Sequence, residues 1–309
     1  MKDSNLLFII SQPRSGSTLL HRILSNSPDI SSIKDESWIL LPFLSIHRPD
    51  LNQSLYGSDL ASQAIKNSLN DKVLRDFLRD FIIKLYSESF DNPTKFILDK
   101  TPRYYEIIDE IIDYFPNAKI IVLKRNPLDV VFSFHERWPR KRLIDIAHFG
   151  RDIFTAPLKI DAFLNSHQSN ENVKVVKYEE LVKTPVEILS RLFQWLDIKF
   201  EKSYLKYDRQ EIPLLGDNKI NHINYPHDVS IDRWKKSVED KGFRGFISGY
   251  INYLISNGYE DYSLPSFPNS QNWRFNTIFK YFLVNSTSRG LTFSSIFDRT
   301  KIYLMSKFL

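Results

Sequence analysis

Residues 6–24 of this 309-residue chain form one continuous pattern of strand, tight loop and helix. The run from Leu6 to Ile10 is short and apolar, as expected for a strand covered on both faces of a parallel sheet. Gly16 permits a sharp turn, and a helix from Ser17 would direct its unpaired N–H groups and positive dipole end into the loop. The pattern predicts an anion site, although residues 15–18 could also do no more than cap a helix.

The loop departs from the nucleotide-binding P-loop pattern at two positions. Ser11 stands where that pattern has its first Gly, and Ser17 replaces the Lys before the final Ser or Thr. Arg14 is the nearby cation. Because the missing Lys normally reaches the β- and γ-phosphates, the sequence disfavours triphosphate cleavage and favours a different phosphorylated donor.

A second strand and helix are predicted over residues 119–138. The apolar run over 120–123 is followed by Arg125, and Ser133 comes eight residues after Arg125. Arg137 lies one helical turn beyond Ser133 on the same face. These side chains can hold a second phosphate, although taken alone they fit a solvated basic helix end equally well.

Together the two stretches resemble the sulfotransferases that use 3′-phosphoadenosine 5′-phosphosulfate (PAPS). In that superfamily a Pro-Arg-Ser-Gly-Ser/Thr-Thr loop holds the 5′-phosphosulfate end, and an Arg and a Ser at the spacing of Arg125 and Ser133 hold the 3′-phosphate. Pro13 to Thr18 match the loop, which implies donor contacts from Arg14, Ser15, Gly16, Ser17 and Thr18. Further matches are Asp99 to Arg103, Lys177 to Leu181 and Asp232 to Trp234. The resemblance covers most of residues 5–240 and implies PAPS as donor and 3′-phosphoadenosine 5′-phosphate (PAP) as product.

The chain resembles most the bacterial sulfotransferases related to tyrosylprotein sulfotransferase. This branch of the family predicts which residue is the general base. The cytosolic small-molecule branch uses a His where this chain has Pro102. The bacterial pattern Glu-Pro-Trp-Leu-Leu-Leu-Pro is matched from Glu36 to Pro42, which favours Glu36 as the base, whereas an alignment with the animal enzymes selects Asp35. The resemblance implies that Lys100 and Arg14 bridge the sulfonate and the leaving oxygen.

Five further donor contacts are carried over from the family with weaker support. Tyr178 matches a Tyr that packs by the adenine, and Arg137 matches another donor-binding Arg. Arg233 stands where the family has a Lys in the loop that covers the nucleotide. Asn218 and Lys219 are candidates from that loop only. No metal is expected, since no His, Cys or carboxylate cluster has metal-ligand spacing.

Alternating strand and helix patterns predict an α/β fold, with a P-loop-like central parallel sheet covered by helices on both faces and a helical C-terminal extension. We expect a sulfotransferase domain over 1–270, with 42% hydrophobic residues in the chain to fill its core. Residues 35–70 are expected to be irregular and to form a wall of the acceptor site. A helix over 71–90 is expected to bury the stripe Val73, Phe77, Phe81 and Leu85.

Residues 271–309 form a basic amphipathic extension that carries six Lys or Arg and one Asp or Glu, which accounts for the whole net charge of +5. A terminal helix that covers the core explains this segment; peripheral contact with an anionic membrane or a partner explains it as well. The chain has no Cys, no leader before the first strand and no long apolar run, so a cytoplasmic protein is expected. Binding of nucleic acid is not expected, because no motif for it is present.

The sequence leaves the acceptor open. A hydroxyl or amine on a carbohydrate, a lipid, a small molecule or a peptide tyrosine is compatible with the motifs. Two other functions share the same pattern: a P-loop kinase of a small molecule, and an inactive nucleotide-binding scaffold. ATP binding would favour the kinase, whereas tight PAP binding without turnover would favour the scaffold.

Overall fold

The computed structural model describes residues 1–33, 36–47, 58–90, 94–137, 146, 149–206, 226, 228–239 and 241–259. Within these residues a sheet of five parallel strands has the order β2-β3-β1-β4-β5. The strands are β1 Leu6–Ser11, β2 Ile30–Ser32, β3 Phe96–Lys100, β4 Lys119–Lys124 and β5 Val173–Lys177. The prediction of a central parallel sheet is confirmed.

Helices connect the strands and cover the sheet. The α-helices of the described residues are α1 Ser17–Ser25, α2 Leu40–Leu44, α3 Ser58–Ser68, α4 Asp71–Glu88, α5 Ile108–Tyr114, α6 Pro127–Arg137, α7 Ala156–Ser166, α8 Tyr178–Lys183, α9 Pro185–Trp195 and α10 Lys241–Ser256. A 3-10 helix, Pro102–Ile107, leads into α5, and a π-helical turn, Arg151–Thr155, leads into α7.

The central strand β1 is buried along its whole length and divides the core in two. Leu7 and Ile9 face a cluster with α1, α8 and α9. Phe8 and its neighbours in the alternating pattern face a second cluster with α4, α5 and α7. Helices therefore cover both faces of the sheet, as predicted, and a third cluster packs α6 against α10.

The strand register brings the predicted site residues to one edge of the sheet. Ile9 pairs with Lys100 on one side and with Ile121 on the other. Ser11 pairs with Leu123, so the loop after β1 begins beside the end of β4. Because all strands are parallel, the segments after β1, β3 and β4 leave the sheet at the same edge.

The buried stripe predicted for the 71–90 helix is wrong. Val73, Phe77 and Phe81 are exposed, whereas Leu74, Ile82 and Tyr86 of α4 are buried. The two stripes are adjacent around the helix and both are apolar at a four-residue step, so periodicity alone does not select the one that faces the core.

The irregular structure expected over residues 35–70 is also wrong in part. Helices α2 and α3 lie in this region. Pro42 lies in the first turn of α2, where its missing N–H breaks no intrahelical hydrogen bond. The predicted extension over 271–309, and with it the division at residue 270, lies outside the described residues.

Candidate active site

The loop between β1 and α1 has the conformation expected of an anion-binding turn. Gly16 precedes α1 with φ of 94°, and Arg14 also has a positive φ of 75°. The Ser15 N–H donates to the Gln12 carbonyl at 3.2 Å, so Ser15 does not offer this N–H to a ligand. The Ser15 hydroxyl is buried and has no hydrogen-bond partner among the described residues. Helix geometry directs the N–H groups of the first turn, with Ser17 and Thr18, back towards the loop.

Gly16 is required by contact as well as by conformation. A Cβ at this position would lie 2.5 Å from two ring carbons of Tyr178, the first residue of α8. Tyr178 is buried, and the Arg125 guanidinium lies 4.4 Å from the centre of its ring. The aromatic ring thus lies between the first loop and the residue that follows β4.

Arg125 connects three segments at this edge of the sheet. Its Nη1 donates to the Arg14 carbonyl at 2.8 Å, and its Nη2 donates to the Ser230 carbonyl at 2.7 Å. Its Nε is buried and has no hydrogen-bond partner among the described residues. A buried guanidinium N–H of this kind is suited to a phosphate oxygen.

Ser133 lies on α6, where the Arg14 side chain reaches it. Arg14 Nε donates to Ser133 Oγ at 3.2 Å. The structure therefore brings together the two elements that the sequence placed at separate phosphates. Arg137 ends the same helix with an exposed side chain.

Arg233 also approaches α6. Its Nη2 lies 2.5 Å from Glu136 Oε2, and its guanidinium lies 5.3 Å from the centre of the Phe132 ring. These contacts place Arg233 beside the helix that carries Ser133. Asn218, Lys219 and Asp35 lie outside the described residues.

Asp129 of α6 holds the segment that contains Asp232 and Trp234, and it was not predicted from the sequence. Its buried carboxylate accepts the N–H of Asp232 at 2.8 Å and the N–H of Trp234 at 3.2 Å. Burial raises the pKa of Asp129, against the opposing effect of Arg125 and of these two hydrogen bonds. The only signal in the sequence is an acidic residue in the first turn of a predicted helix.

Lys100 and Glu36 form an ion pair at the carboxyl end of β3. Lys100 Nζ lies 3.3 Å from Glu36 Oε1, with 3% of the lysine side chain and 19% of the glutamate side chain exposed. Trp38 comes two residues after Glu36 in the sequence, and the Arg103 guanidinium lies 5.7 Å from the centre of the Trp38 ring. A carboxylate and a buried ammonium therefore meet at the edge of the sheet where the loop between β1 and α1 also begins.

The described part of the chain contains neither a candidate metal centre nor a membrane-spanning helix. No group of three or more His, Cys, Asp or Glu side chains there could hold a metal ion. Among the same residues, none of the helices combines the length and apolar character needed to cross a membrane.

Comparison with known proteins finds similar sequences in bacteria and in animals. The nodulation protein NoeE of Sinorhizobium fredii is 28% identical over 209 residues, which cover 62% of this chain and 49% of NoeE. Protein-tyrosine sulfotransferase 1 of Danio rerio is 23% identical over 209 residues, which cover 67% of this chain and 57% of the zebrafish protein. The chain thus spans about half the length of these curated relatives.

Solved structures share the fold. The sulfotransferase domain from the curacin biosynthetic pathway matches with a TM-score of 0.54 and 24% identity over 84% of this chain and 98% of that domain. The sulfotransferase domain of the Synechococcus olefin synthase matches with a TM-score of 0.55 and 23% identity over 84% of this chain and 97% of that domain. The model of the sulfotransferase family matches residues 7–202, well over half of the sequence, and the chain therefore belongs to this family.

Proposed function

We propose that the chain transfers the sulfuryl group of PAPS to a hydroxyl or amine acceptor and releases PAP. The observation that carries the proposal is the junction of the two phosphate-binding elements. Arg125 donates to the Arg14 carbonyl at 2.8 Å, and Arg14 donates to Ser133 at 3.2 Å. A nucleotide with phosphates on both sides of its ribose needs two such groups of donors next to each other.

The residues present fit this donor. The buried Arg125 Nε and the buried Ser15 hydroxyl, both without a hydrogen-bond partner among the described residues, can donate to phosphate oxygens. The first turn of α1 adds N–H groups and a positive dipole end, and Tyr178 offers a ring beside them. We also propose donor contacts in the outer part of this site from Arg137, Arg233, Asn218 and Lys219.

Glu36 and Lys100 supply the groups that sulfuryl transfer requires. In the proposed in-line displacement the acceptor oxygen or nitrogen bonds to sulfur while the bond from sulfur to the 5′-phosphate oxygen breaks, and that oxygen keeps the electron pair. Glu36 accepts the acceptor proton, and Lys100 and Arg14 stabilise negative charge on the sulfonate and the leaving phosphate. The 3.3 Å separation of Lys100 and Glu36 allows both to reach one reaction centre.

The acceptor is proposed to approach past Trp38, which follows Glu36 and lies under the Arg103 guanidinium. The zebrafish relative is named for protein tyrosine, and this makes a peptide tyrosine one candidate acceptor. A carbohydrate, a lipid and a small alcohol or phenol are the others. We also propose that residues 271–309 make peripheral contact with a membrane, which would bring the protein to a lipid acceptor.

Transfer of radiolabelled sulfate tests the proposal. Purified protein is incubated with 35S-labelled PAPS and each acceptor class, beside Glu36→Gln and Lys100→Ala variants. Label is expected to move to at least one acceptor with the unaltered protein and to move far more slowly with either variant. Tight PAP binding without transfer to any class would favour a scaffold, and phosphate transfer from ATP would favour a kinase; either result would overturn the proposal.

A further inference from the structure

Asp99 is wholly buried at the end of β3, directly before Lys100, and four hydroxyl groups converge on its carboxylate. Tyr86 donates to Oδ2 at 2.5 Å, and Tyr104 donates to the same oxygen at 3.2 Å. Ser37 also donates to Oδ2, while Thr101 donates to Oδ1 at 3.1 Å. This set of side chains, which we call the Asp99 network, comes from β3, α4 and the segments that begin at Glu36 and at Thr101.

The Asp99 network holds the backbone that follows Glu36. The backbone N–H groups of three consecutive residues each contact the oxygen of a hydroxyl group that belongs to the Asp99 network. Trp38 N–H lies 3.4 Å from Thr101 Oγ1, Ile39 N–H donates to Ser37 Oγ at 3.2 Å, and Leu40 N–H donates to Tyr104 OH at 3.1 Å.

The direction of these hydrogen bonds depends on Asp99. An ionised carboxylate only accepts, so the hydroxyls around Asp99 can donate to it and leave their oxygens to accept a backbone N–H. Ser37 Oγ and Tyr104 OH also lie 2.9 Å apart, so one of these two hydroxyls can donate to the other within the network. Burial raises the pKa of Asp99, while the hydrogen bonds from Ser37, Tyr86, Thr101 and Tyr104 favour the charged form.

The segment needs this support because its backbone is unfavourable. Trp38 has φ of 55°, a left-handed conformation that is unfavourable for a non-glycine residue. Conformations of this kind persist where surrounding contacts fix them. The Asp99 network therefore stabilises the unfavourable backbone conformation of Trp38, two positions after Glu36.

We propose that Asp99 is a positioning residue for the reaction, since through Ser37, Thr101 and Tyr104 it fixes the Glu36 segment against Lys100. The inference rests on the proposed function for the roles of Glu36 and Lys100. Asp99 itself is wholly buried and need not touch either substrate. Its effect is to hold the carboxylate and the ammonium at one distance.

Hydrogen–deuterium exchange tests the positioning without any substrate. Ser37→Ala and Tyr86→Phe each remove one hydroxyl from the network, and Tyr250→Phe is the matched control. Tyr250 is also wholly buried, and its hydroxyl donates to the Ile153 carbonyl at 2.6 Å. The peptide that contains residues 38–40 is expected to exchange at least tenfold faster in Ser37→Ala and measurably faster in Tyr86→Phe, but not in Tyr250→Phe. Unchanged exchange in both network variants, or an equal rise in the control, would overturn the proposal.

Kinetics separate positioning from a general loss of structure. With the acceptor that the unaltered protein uses, Ser37→Ala is expected to lower kcat at least tenfold and to leave the Kd for PAP within twofold. Ser37→Thr keeps the hydroxyl and is expected to recover most of the rate. A normal kcat in Ser37→Ala would contradict the proposal. Failure of the unaltered protein to bind PAP would instead refute the proposed function, and the exchange experiment would still decide whether Asp99 positions the segment.

Discussion

Lys100 Nζ and Glu36 Oε1 lie 3.3 Å apart, at the point where β3 ends beside the loop between β1 and α1. The lysine is buried and the glutamate is the more accessible partner, with 3% and 19% of their side chains exposed. This order suits their proposed roles, because the base must meet an incoming acceptor while the cation acts on the donor from within the protein.

Loss of Glu36 and loss of Lys100 are both expected to slow turnover, each for a different chemical reason. Glu36→Gln removes the proton acceptor and keeps the shape, so kcat should fall by about 10²-fold while PAP binds as before. Lys100→Ala removes charge stabilisation of the leaving group and should cost about 10²-fold or more. Single-turnover rates with labelled PAPS, measured beside calorimetric PAP affinities, check both; a rate near that of the unaltered protein refutes the role of the residue concerned.

Arg125 is expected to act through donor affinity. Arg125→Ala should weaken PAP binding by about 1.5–3 kcal/mol, the usual contribution of a hydrogen bond to a charged group. Arg125→Lys keeps the charge but not the fork of N–H donors, so it should recover only part of the affinity.

The control for Arg125 is Arg191→Ala on α9. Arg191 is 58% exposed and pairs with Glu187 at 3.5 Å, away from the site. Its loss should leave the Kd for PAP within twofold. Equal affinities for Arg125→Ala and Arg191→Ala would show that Arg125 does not bind the donor.

Gly16→Ala should damage both stability and donor binding. A left-handed conformation costs Ala about 1–2 kcal/mol, and the new Cβ would also have to displace the Tyr178 ring, which lies 2.5 Å away. Gly258→Ala is the matched control, because Gly258 has φ of 85° and nothing within 4 Å of the added Cβ. Thermal unfolding and PAP titration of both variants should show the larger loss of stability, and the only loss of affinity, in Gly16→Ala. The reverse order would refute this explanation of Gly16.

Glu106 should make stability depend on acid pH. Burial alone would raise the pKa of Glu106, but Arg151, which lies 2.7 Å away, and Lys159, at 2.9 Å, outweigh it and lower this pKa. A depressed pKa in the folded state adds stability above the pKa of the unfolded chain, about 4.3, and this stability is lost as the pH falls through the folded value.

Glu106→Gln is therefore expected to lower the free energy of unfolding at pH 7 by about 1.5–3 kcal/mol. The difference from the unaltered protein should shrink towards pH 3, and urea unfolding across this range measures it. Glu187→Gln removes an exposed carboxylate from an ion pair and should have little effect at any pH. A constant difference across the range would contradict the role given to Glu106.

The sequence predicts the parts of the site that depend on local pattern. The buried strand before Gly16, the helix from Ser17 and the spacing of Arg125 and Ser133 follow from periodicity and turn chemistry, and the structure contains β1, α1, β4 and α6 where they were expected. The contact between Arg14 and Ser133 needed the sheet order, because β1 and β4 are far apart in sequence and become neighbours only in the fold.

Other features depend on tertiary contacts that no local pattern shows. Asp99 and Asp129 lie within predicted elements, but their functions arise from hydrogen bonds to segments distant in the chain. The wrong prediction for α4 has a similar origin. Phe77 and Ile82 both lie in apolar stripes of the helix, and only packing against the sheet determines that Ile82 is the buried one.

Calorimetric titration with adenosine 3′,5′-bisphosphate, which is PAP, decides whether the protein binds the proposed donor nucleotide. We expect one molecule bound per chain with a micromolar or tighter Kd, a weaker Kd for Arg125→Ala and an unchanged Kd for Arg191→Ala. Absence of binding heat with PAP at several temperatures, together with saturable binding of ATP, would contradict the proposed function.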